Sequence, residues 1–300
     1  MDTVESLARK IEGAKDIKSV VKTMKAVAAS KIGQYELAVG SLGDYYHTVA
    51  LGIIGYFKAE KINTLTVEKV KKKKKEKLTC AIVFGSDQGL VGQFNDSLAD
   101  FVFKSLNAFP GKKEVWAVGE RIKPILSDGA LEITKLFSVP DSVNAITPLV
   151  RQILVKSEES HEKEDMKDFY IFHNRPKTGA VYEPVMQRLL PLDEEWRKSV
   201  QELKWPTKLL PQVAGGIKPT LMALIKEYLF VSLFKACAES LTSENASRLN
   251  AMTRAEKNIG EMLDTLHNQY HRLRQSSIDE ELFDVVSGFE ALKVDKSKNS

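Results

Sequence analysis

The chain begins with a long repeating apolar pattern, and no proline occurs between Asp2 and Phe57. Apolar or small residues recur at spacings that alternate between three and four, with one break at Lys31 and Ile32. The repeat comprises Val4, Leu7, Ile11, Ala14, Ile17, Val21, Met24, Ala28, Tyr35, Val39, Leu42, Tyr46, Val49 and Ile53. Such spacing is typical of a helix in a left-handed coiled coil. At about 1.5 Å per residue the helix would span roughly 80 Å, so it needs a packing partner.

A second pattern of the same kind ends the chain. From Thr220 to about Leu292 there is no proline, and Pro219 is suited to the first residue of a helix. The repeat includes Leu221, Leu224, Tyr228, Leu241, Leu249, Met252, Ile259, Leu263, Leu266, Tyr270, Leu273, Ile278, Leu282 and Val285. Because neither amphipathic helix is stable alone, the simplest arrangement pairs them with each other.

The middle of the chain has a different pattern. Residues 78–84 (LTCAIVF) form a continuous apolar run that predicts a buried strand. Further strands are predicted at 115–118, 131–136, 168–173 and 181–192, and helices at 95–108, 120–127 and 142–157. Pro184 favours an edge position for the last strand. Strands that alternate with helices predict an α/β sheet.

The predicted fold is therefore an α/β domain inserted between two long terminal helices that form an antiparallel left-handed coiled coil. Its parts are an N-terminal helix (1–60), a lysine-rich linker (61–77), the α/β domain (78–205), a second linker (206–218), a C-terminal helix (219–292) and a flexible tail (293–300). The lysine run at 71–75 is interpreted as a solvated linker, with a basic patch near acidic lipid headgroups or a partner as the alternative.

Composition limits the function classes. The chain has 43% hydrophobic residues and a net charge of +4, which does not demand a nucleic-acid partner. Its two cysteines are far apart in sequence, so neither a zinc knuckle nor a disulfide framework is predicted. No apolar run approaches the roughly 18–20 residues that span a bilayer. The N-terminus carries acids and lacks an apolar core, which argues against a targeting peptide.

Two features could carry chemistry. The glycine-rich loop GSDQGLVG at 85–92 follows a strand, but it matches neither the dinucleotide fingerprint nor the phosphate loop, so we interpret it as a tight turn. His267 and His271 have a helical spacing able to bind a metal, but no glutamate stands beside the first, which favours surface or interface histidines. We predict no catalytic residue, cofactor or metal. A stand-alone α/β nucleotide-binding enzyme with a coiled-coil arm stays open as the alternative.

Charge is uneven along the first helix. Its early part carries seven basic residues, namely Arg9, Lys10, Lys15, Lys18, Lys22, Lys25 and Lys31. From Ile32 to Phe57 no lysine or arginine occurs. A basic half suits an acidic partner surface, although a solvated face explains it equally well.

Three segments resemble the gamma family of rotary ATP synthases. The first is residues 7–31, with KTMKAVAASK at 22–31 as its core, and the second is the loop SDQGLVGQFN at 86–95. The third runs from ENASRLNAMTRA at 244–255 through RQSSIDEELFDVVSG at 274–288. Gln88 stands where the family usually has arginine, and Val91 where it often has cysteine. The resemblance leaves a proton or a sodium coupling ion open.

The resemblance implies a non-catalytic central shaft of an ion-transporting ATP synthase. Its expected partners are the alpha and beta subunits, the epsilon subunit and the ring of c subunits, with no nucleic acid. The expected location is peripheral to the membrane, on the cytoplasmic face of a bacterial inner membrane. The implied contact residues are Lys22, Met24, Lys25 and Lys31 toward an acidic beta-subunit lever, Arg274 and Gln275 toward a beta-subunit loop, and Val285, Val286 and Phe289 in an apolar bearing.

Overall fold

The computed structural model describes residues 3–59, 78–129, 131–163, 167–178, 180–192, 205, 207, 209 and 216–298. The lysine-rich linker predicted at 61–77 and most of the linker predicted at 206–218 lie outside these residues. The elements in chain order are α1 (Val4–Ala59), β1 (Leu78–Phe84), α2 (Phe94–Asn107), β2 (Lys112–Val118), α3 (Ile122–Asp128), β3 (Ile133–Phe137), α4 (Val143–Lys163), β4 (Lys167–Lys177), β5 (Ala180–Leu190) and α5 (Ile217–Lys298). The predicted order of long helix, alternating strands and helices, and long helix is confirmed.

The five strands form one mixed sheet in the order β3-β2-β1-β4-β5. The pairs β1–β2, β1–β4 and β2–β3 are parallel, and β4–β5 is antiparallel. Pro184 lies in β5 opposite Asn174, and β5 is an edge strand, as the proline predicted. The carboxyl ends of β1, β2, β3 and β4 therefore meet at one end of the sheet.

Side chains alternate between the two faces of the sheet, so each face has its own core. In β1, Cys80, Ile82 and Phe84 face α1, α4 and α5. Ala81 and Val83 face α2 and α3 on the other side. Both faces are covered, which explains why this strand is a continuous apolar run in the sequence.

The chain divides into two compact units, residues 28–248 and residues 1–27 with 249–300. The unit 28–248 contains the sheet and the adjoining stretches of α1 and α5. There Tyr35, Val49 and Ile53 of α1 are buried in the same cluster as β1.

The described helices of the unit of 1–27 and 249–300 are the first part of α1 and the last part of α5. Ile11 and Ala14 are buried together with Leu263, and Ile259, Leu266 and Tyr270 pack against them. Farther along α1, Nζ of Lys25 lies 2.9 Å from Oε2 of Glu256. Within the described residues, no helix is long and apolar enough to cross a membrane.

Some apolar side chains of the two repeats are exposed rather than buried. Ile17 is 57% exposed, although Ala14 and Val21 on either side of it in the repeat are buried. The buried stripe is thus narrower than the sequence predicts. Ile278 and Leu282 are also exposed. In addition, α5 begins at Ile217, so Pro219 is its third residue and not its first. Proline is tolerated there because the N–H groups of the first turn have no partner within the helix.

Candidate functional site

The glycine-rich loop after β1 is a structural turn. The Gly85 N–H donates to the carbonyl of Val118 at 2.8 Å. Asp87 ties three loops together, because its Oδ1 accepts from the Glu120 N–H and its Oδ2 from the Val139 N–H, each at 2.8 Å. Both carboxylate oxygens are therefore engaged in joining the ends of β1, β2 and β3. The loop spans residues 85–93 between β1 and α2, so it is longer than a tight turn, and its lack of a ligand-binding role stays a prediction.

The adjoining start of α2 is held by a buried side-chain pair. The Ser86 N–H donates to Oδ1 of Asn95 at 3.1 Å, and Nδ2 of Asn95 donates to Oγ of Ser86 at 2.9 Å. These polar groups satisfy each other in the position where an open α/β sheet would present donors to a ligand. The loop that most resembles an active site is thus committed to holding the sheet end together.

A row of three serines on α5 contacts this same end of the sheet. Oγ of Ser240 donates to the Phe84 carbonyl at 3.1 Å, Oγ of Ser243 to the Asn174 carbonyl at 3.0 Å, and Oγ of Ser247 to the Val91 carbonyl at 2.6 Å. Spacings of three and four place the serines on one helix face. We call Ser240, Ser243 and Ser247 the serine row. It bonds α5 to carbonyls of β1, of β4 and of the loop before α2, and so fixes the rotation of α5 against the sheet.

A buried histidine–glutamate pair extends this contact. Nε2 of His173 lies 2.8 Å from Oε2 of Glu239. The same carboxylate lies 3.4 Å from Nε of Arg175 and 3.9 Å from Nζ of Lys235. Burial lowers the pKa of His173, even though the hydrogen bond and the charge of Glu239 oppose this. Burial alone would raise the pKa of Glu239, but the His173 hydrogen bond and the Lys235 and Arg175 charges lower it.

Acid should weaken the domain through His173. Its folded pKa lies below that of the unfolded chain, so unfolded molecules bind the proton first as the pH falls. The free energy of unfolding should therefore decrease from about pH 6.5 downward, by up to about 1.4 kcal/mol per pH unit. We expect urea titrations between about pH 7 and pH 5 to show that the free energy of unfolding depends less steeply on pH for His173→Gln than for the native chain. His47→Gln, at an exposed position, should keep the native slope, and equal slopes in all three proteins would contradict the assignment.

A polar cleft of about 190 Å³ lies between the sheet end and the two long helices of the unit 28–248. Its lining residues are Lys31, Tyr35, Asp87, Gln88, Val139, Pro140, Asp141, Leu241, Glu244, Asn245 and Arg248. Nη2 of Arg248 donates to Oε1 of Glu244 at 2.6 Å, and both side chains are buried. Burial raises the pKa of Glu244, whereas Arg248 and the more distant Lys31 oppose the rise.

The structure places the predicted contact residues of α1 in different surroundings. Lys22 is exposed, and Met24 is half-buried. Lys25 forms an ion pair with Glu256 in which the side chains are 37% and 25% exposed. Lys31 belongs to the unit 28–248 and lines the polar cleft. The ion-pair partner Glu256 and the serine row were missed by the sequence reasoning.

The predicted contact residues of α5 are exposed where they are described. Arg274 and Gln275 are exposed, and Val285 and Val286 are 69% and 50% exposed. The side chain of Phe289 lies outside the described residues. The neighbouring Leu282 and Phe283 are also exposed, so this end of α5 presents a run of large apolar side chains of the kind that marks an interface.

Comparison with known proteins gives the family. Residues 3–292 match the family model described as ATP synthase. The ATP synthase gamma chain of Pelagibacter ubique (strain HTCC1062) is 27% identical over 97% of this chain and all of that one. A chain in the central stalk and c-ring structure of the Tetrahymena thermophila mitochondrial ATP synthase has a TM-score of 0.53 at 23% identity, over 79% of this chain and 99% of that one. A chain in the OSCP/F1/c-ring structure of the Euglena gracilis mitochondrial ATP synthase has a TM-score of 0.59 at 16% identity, over 98% and 95%. This chain belongs to the ATP synthase gamma-chain family, as a non-catalytic subunit of the synthase.

Proposed function

We propose that this chain is the torque-transmitting shaft of a rotary ATP synthase. The two terminal helices form an antiparallel left-handed coiled coil that turns inside a ring of alpha and beta subunits. The α/β domain rests on the ring of c subunits and binds the epsilon subunit. The family match over residues 3–292 carries the proposal. The contacts of Ile11 with Leu263 and of Lys25 with Glu256 support the helix pairing.

The early part of α1 is the proposed contact with the acidic lever of a beta subunit. Lys22 supplies an exposed cation, and Met24 lies beside it on the same helix. Lys25 is held by Glu256, which fixes the position of its ammonium while leaving it partly exposed. A shaft can bias a catalytic site only if it contacts the conformations of that site differently. An uneven charge along α1 provides such a difference as the shaft turns.

The end of α5 is the proposed bearing. Val285, Val286 and Phe289 turn in an apolar sleeve at the top of the hexamer, while Arg274 and Gln275 bond to a beta-subunit loop. The exposure of Val285 and Val286 supports this role. Apolar contacts are non-directional, so few oriented bonds have to break as the shaft rotates.

The proposed location follows from the complex. The chain is held at the cytoplasmic face of a bacterial inner membrane through the c ring, and rotation is coupled to the transport of protons or sodium ions. The membrane contact is therefore made by partners, with the α/β domain as the nearest part of this chain.

The variant Met24→Lys tests the lever contact. It adds a cation to the surface that faces the acidic lever, which should hold that contact in some rotary positions, so that ATP is hydrolysed without a completed step of the shaft and transport is uncoupled from catalysis. In vesicles that contain the assembled complex, ions pumped per ATP hydrolysed should fall several-fold. The matched control is Met222→Lys, at an exposed position in the unit 28–248. Complexes with this variant should pump as many ions per ATP hydrolysed as the native complex. Unchanged ATP-driven pumping by Met24→Lys would count against the proposal.

A further inference from the structure

Two histidines lie side by side on one face of α5. The ring centroids of His267 and His271 are 6.4 Å apart, and their planes are inclined by only 25°. Residues four apart are surface neighbours on a helix, so the backbone itself sets this spacing. The ring of Tyr270 meets the edge of the His271 ring at a centroid distance of 5.8 Å and an angle of 75°.

The pair lies beside the apolar contact of its unit and not within it. Leu263, Leu266 and Tyr270 belong to the cluster with α1, whereas His271 is exposed and His267 is half-buried. In the part of the chain that the structure describes, neither imidazole forms a hydrogen bond or an ion pair. The ring nitrogens are therefore available to a dissolved ion.

We propose that His267 and His271 together chelate one divalent transition-metal ion of the zinc, nickel or copper class. Neutral imidazole nitrogen is a preferred ligand of these ions, whereas magnesium and calcium prefer oxygen. Bonds from zinc to imidazole nitrogen are about 2.0–2.1 Å long, so the two rings have to turn toward each other about their side-chain torsions to bind one ion. Once the first imidazole binds, the second is already nearby, which raises the affinity over that of a single histidine.

The two imidazoles are the only protein ligands that we propose for the ion. Among the described residues, no group of three or more histidine, cysteine or acidic side chains is placed to hold an ion, so water completes the coordination. Arg274 and Gln275 follow His271 by three and four residues, so a bound ion adds charge next to the surface proposed to face the beta subunit. Metal binding by the chain does not depend on that proposal.

Calorimetric titration of the full chain with nickel or zinc chloride in a non-coordinating buffer tests the site. The native chain should bind one ion, and His267→Ala or His271→Ala should each weaken binding by at least about tenfold. His47→Ala removes an exposed histidine of α1 and should change nothing. Circular dichroism checks that each variant keeps its helix, and His267→Asn and His271→Gln replace any alanine variant that does not.

A spacing variant makes the test specific to chelation. Gln269→His combined with His271→Gln keeps two histidines on the same helix, but places them two residues apart, where they cannot face each other. This variant should bind as weakly as the single alanine variants. Binding as tight as in the native chain, or native binding no tighter than that of His267→Ala, would overturn the proposal.

Discussion

Replacing Gly119 with alanine will lower the free energy of unfolding by about 3 kcal/mol or more. Gly119 has φ +120°, a conformation that side chains with Cβ rarely adopt. An added Cβ would lie 2.7 Å from the carbonyl oxygen and 2.8 Å from the nitrogen of Ser86. These are backbone atoms, and the Ser86 carbonyl already accepts from the Arg121 N–H at 2.9 Å. The loop therefore cannot move aside without losing the bonds that join β1 to β2.

Urea unfolding followed by far-ultraviolet circular dichroism measures this loss. The matched control is Gly89→Ala in the neighbouring loop, because an added Cβ there meets nothing within 4 Å and the residue has no positive φ. That variant should unfold at or slightly above the native midpoint, since alanine restricts the unfolded chain more than glycine does. A native midpoint for Gly119→Ala would contradict the steric argument.

Local patterns were sufficient for the elements of the fold but not for their polar contacts. The apolar run at 78–84 predicted β1 with its correct ends, and Pro184 predicted an edge strand. The serine row had no such signal. Ser240 and the Phe84 carbonyl that it contacts are 156 residues apart in sequence. A serine within a helical segment does not by itself indicate which group its hydroxyl will contact. Which carbonyl it meets depends on how the helix packs.

The apolar repeats were similarly informative up to a limit. They predicted that Ile11, Ala14 and Leu263 would be buried, and these side chains do pack together. They predicted the same for Leu282 and Val285, which are 62% and 69% exposed. A repeat indicates which residues seek an apolar partner but not whether that partner is in the same chain. For Val285 the partner surface is proposed to be another subunit.

The variant Arg248→Met should cost about 3–5 kcal/mol, because it removes one partner of a buried ion pair. Glu244 is buried, and its Oε1 accepts a hydrogen bond from the Arg248 guanidinium. Its Oε2 has no hydrogen-bond partner among the described residues. Without Arg248 the carboxylate loses its main counter-charge, so its pKa, already raised by burial, rises further. A carboxyl whose folded pKa is raised destabilises the protein increasingly as the pH rises above the unfolded value. The loss should therefore be largest near neutral pH and smaller in acid.

A double-variant cycle separates the ion pair from simple loss of packing. Glu244→Gln removes the charge and keeps the shape, so Arg248→Met combined with Glu244→Gln should be more stable than Arg248→Met alone near pH 7. Arg254→Met, at an exposed position of the same helix, should leave the urea midpoint unchanged. If the double variant were less stable than Arg248→Met by the full effect of Glu244→Gln, the two residues would be uncoupled. The cleft would then be held by its apolar contacts, and the buried charges would contribute nothing to one another.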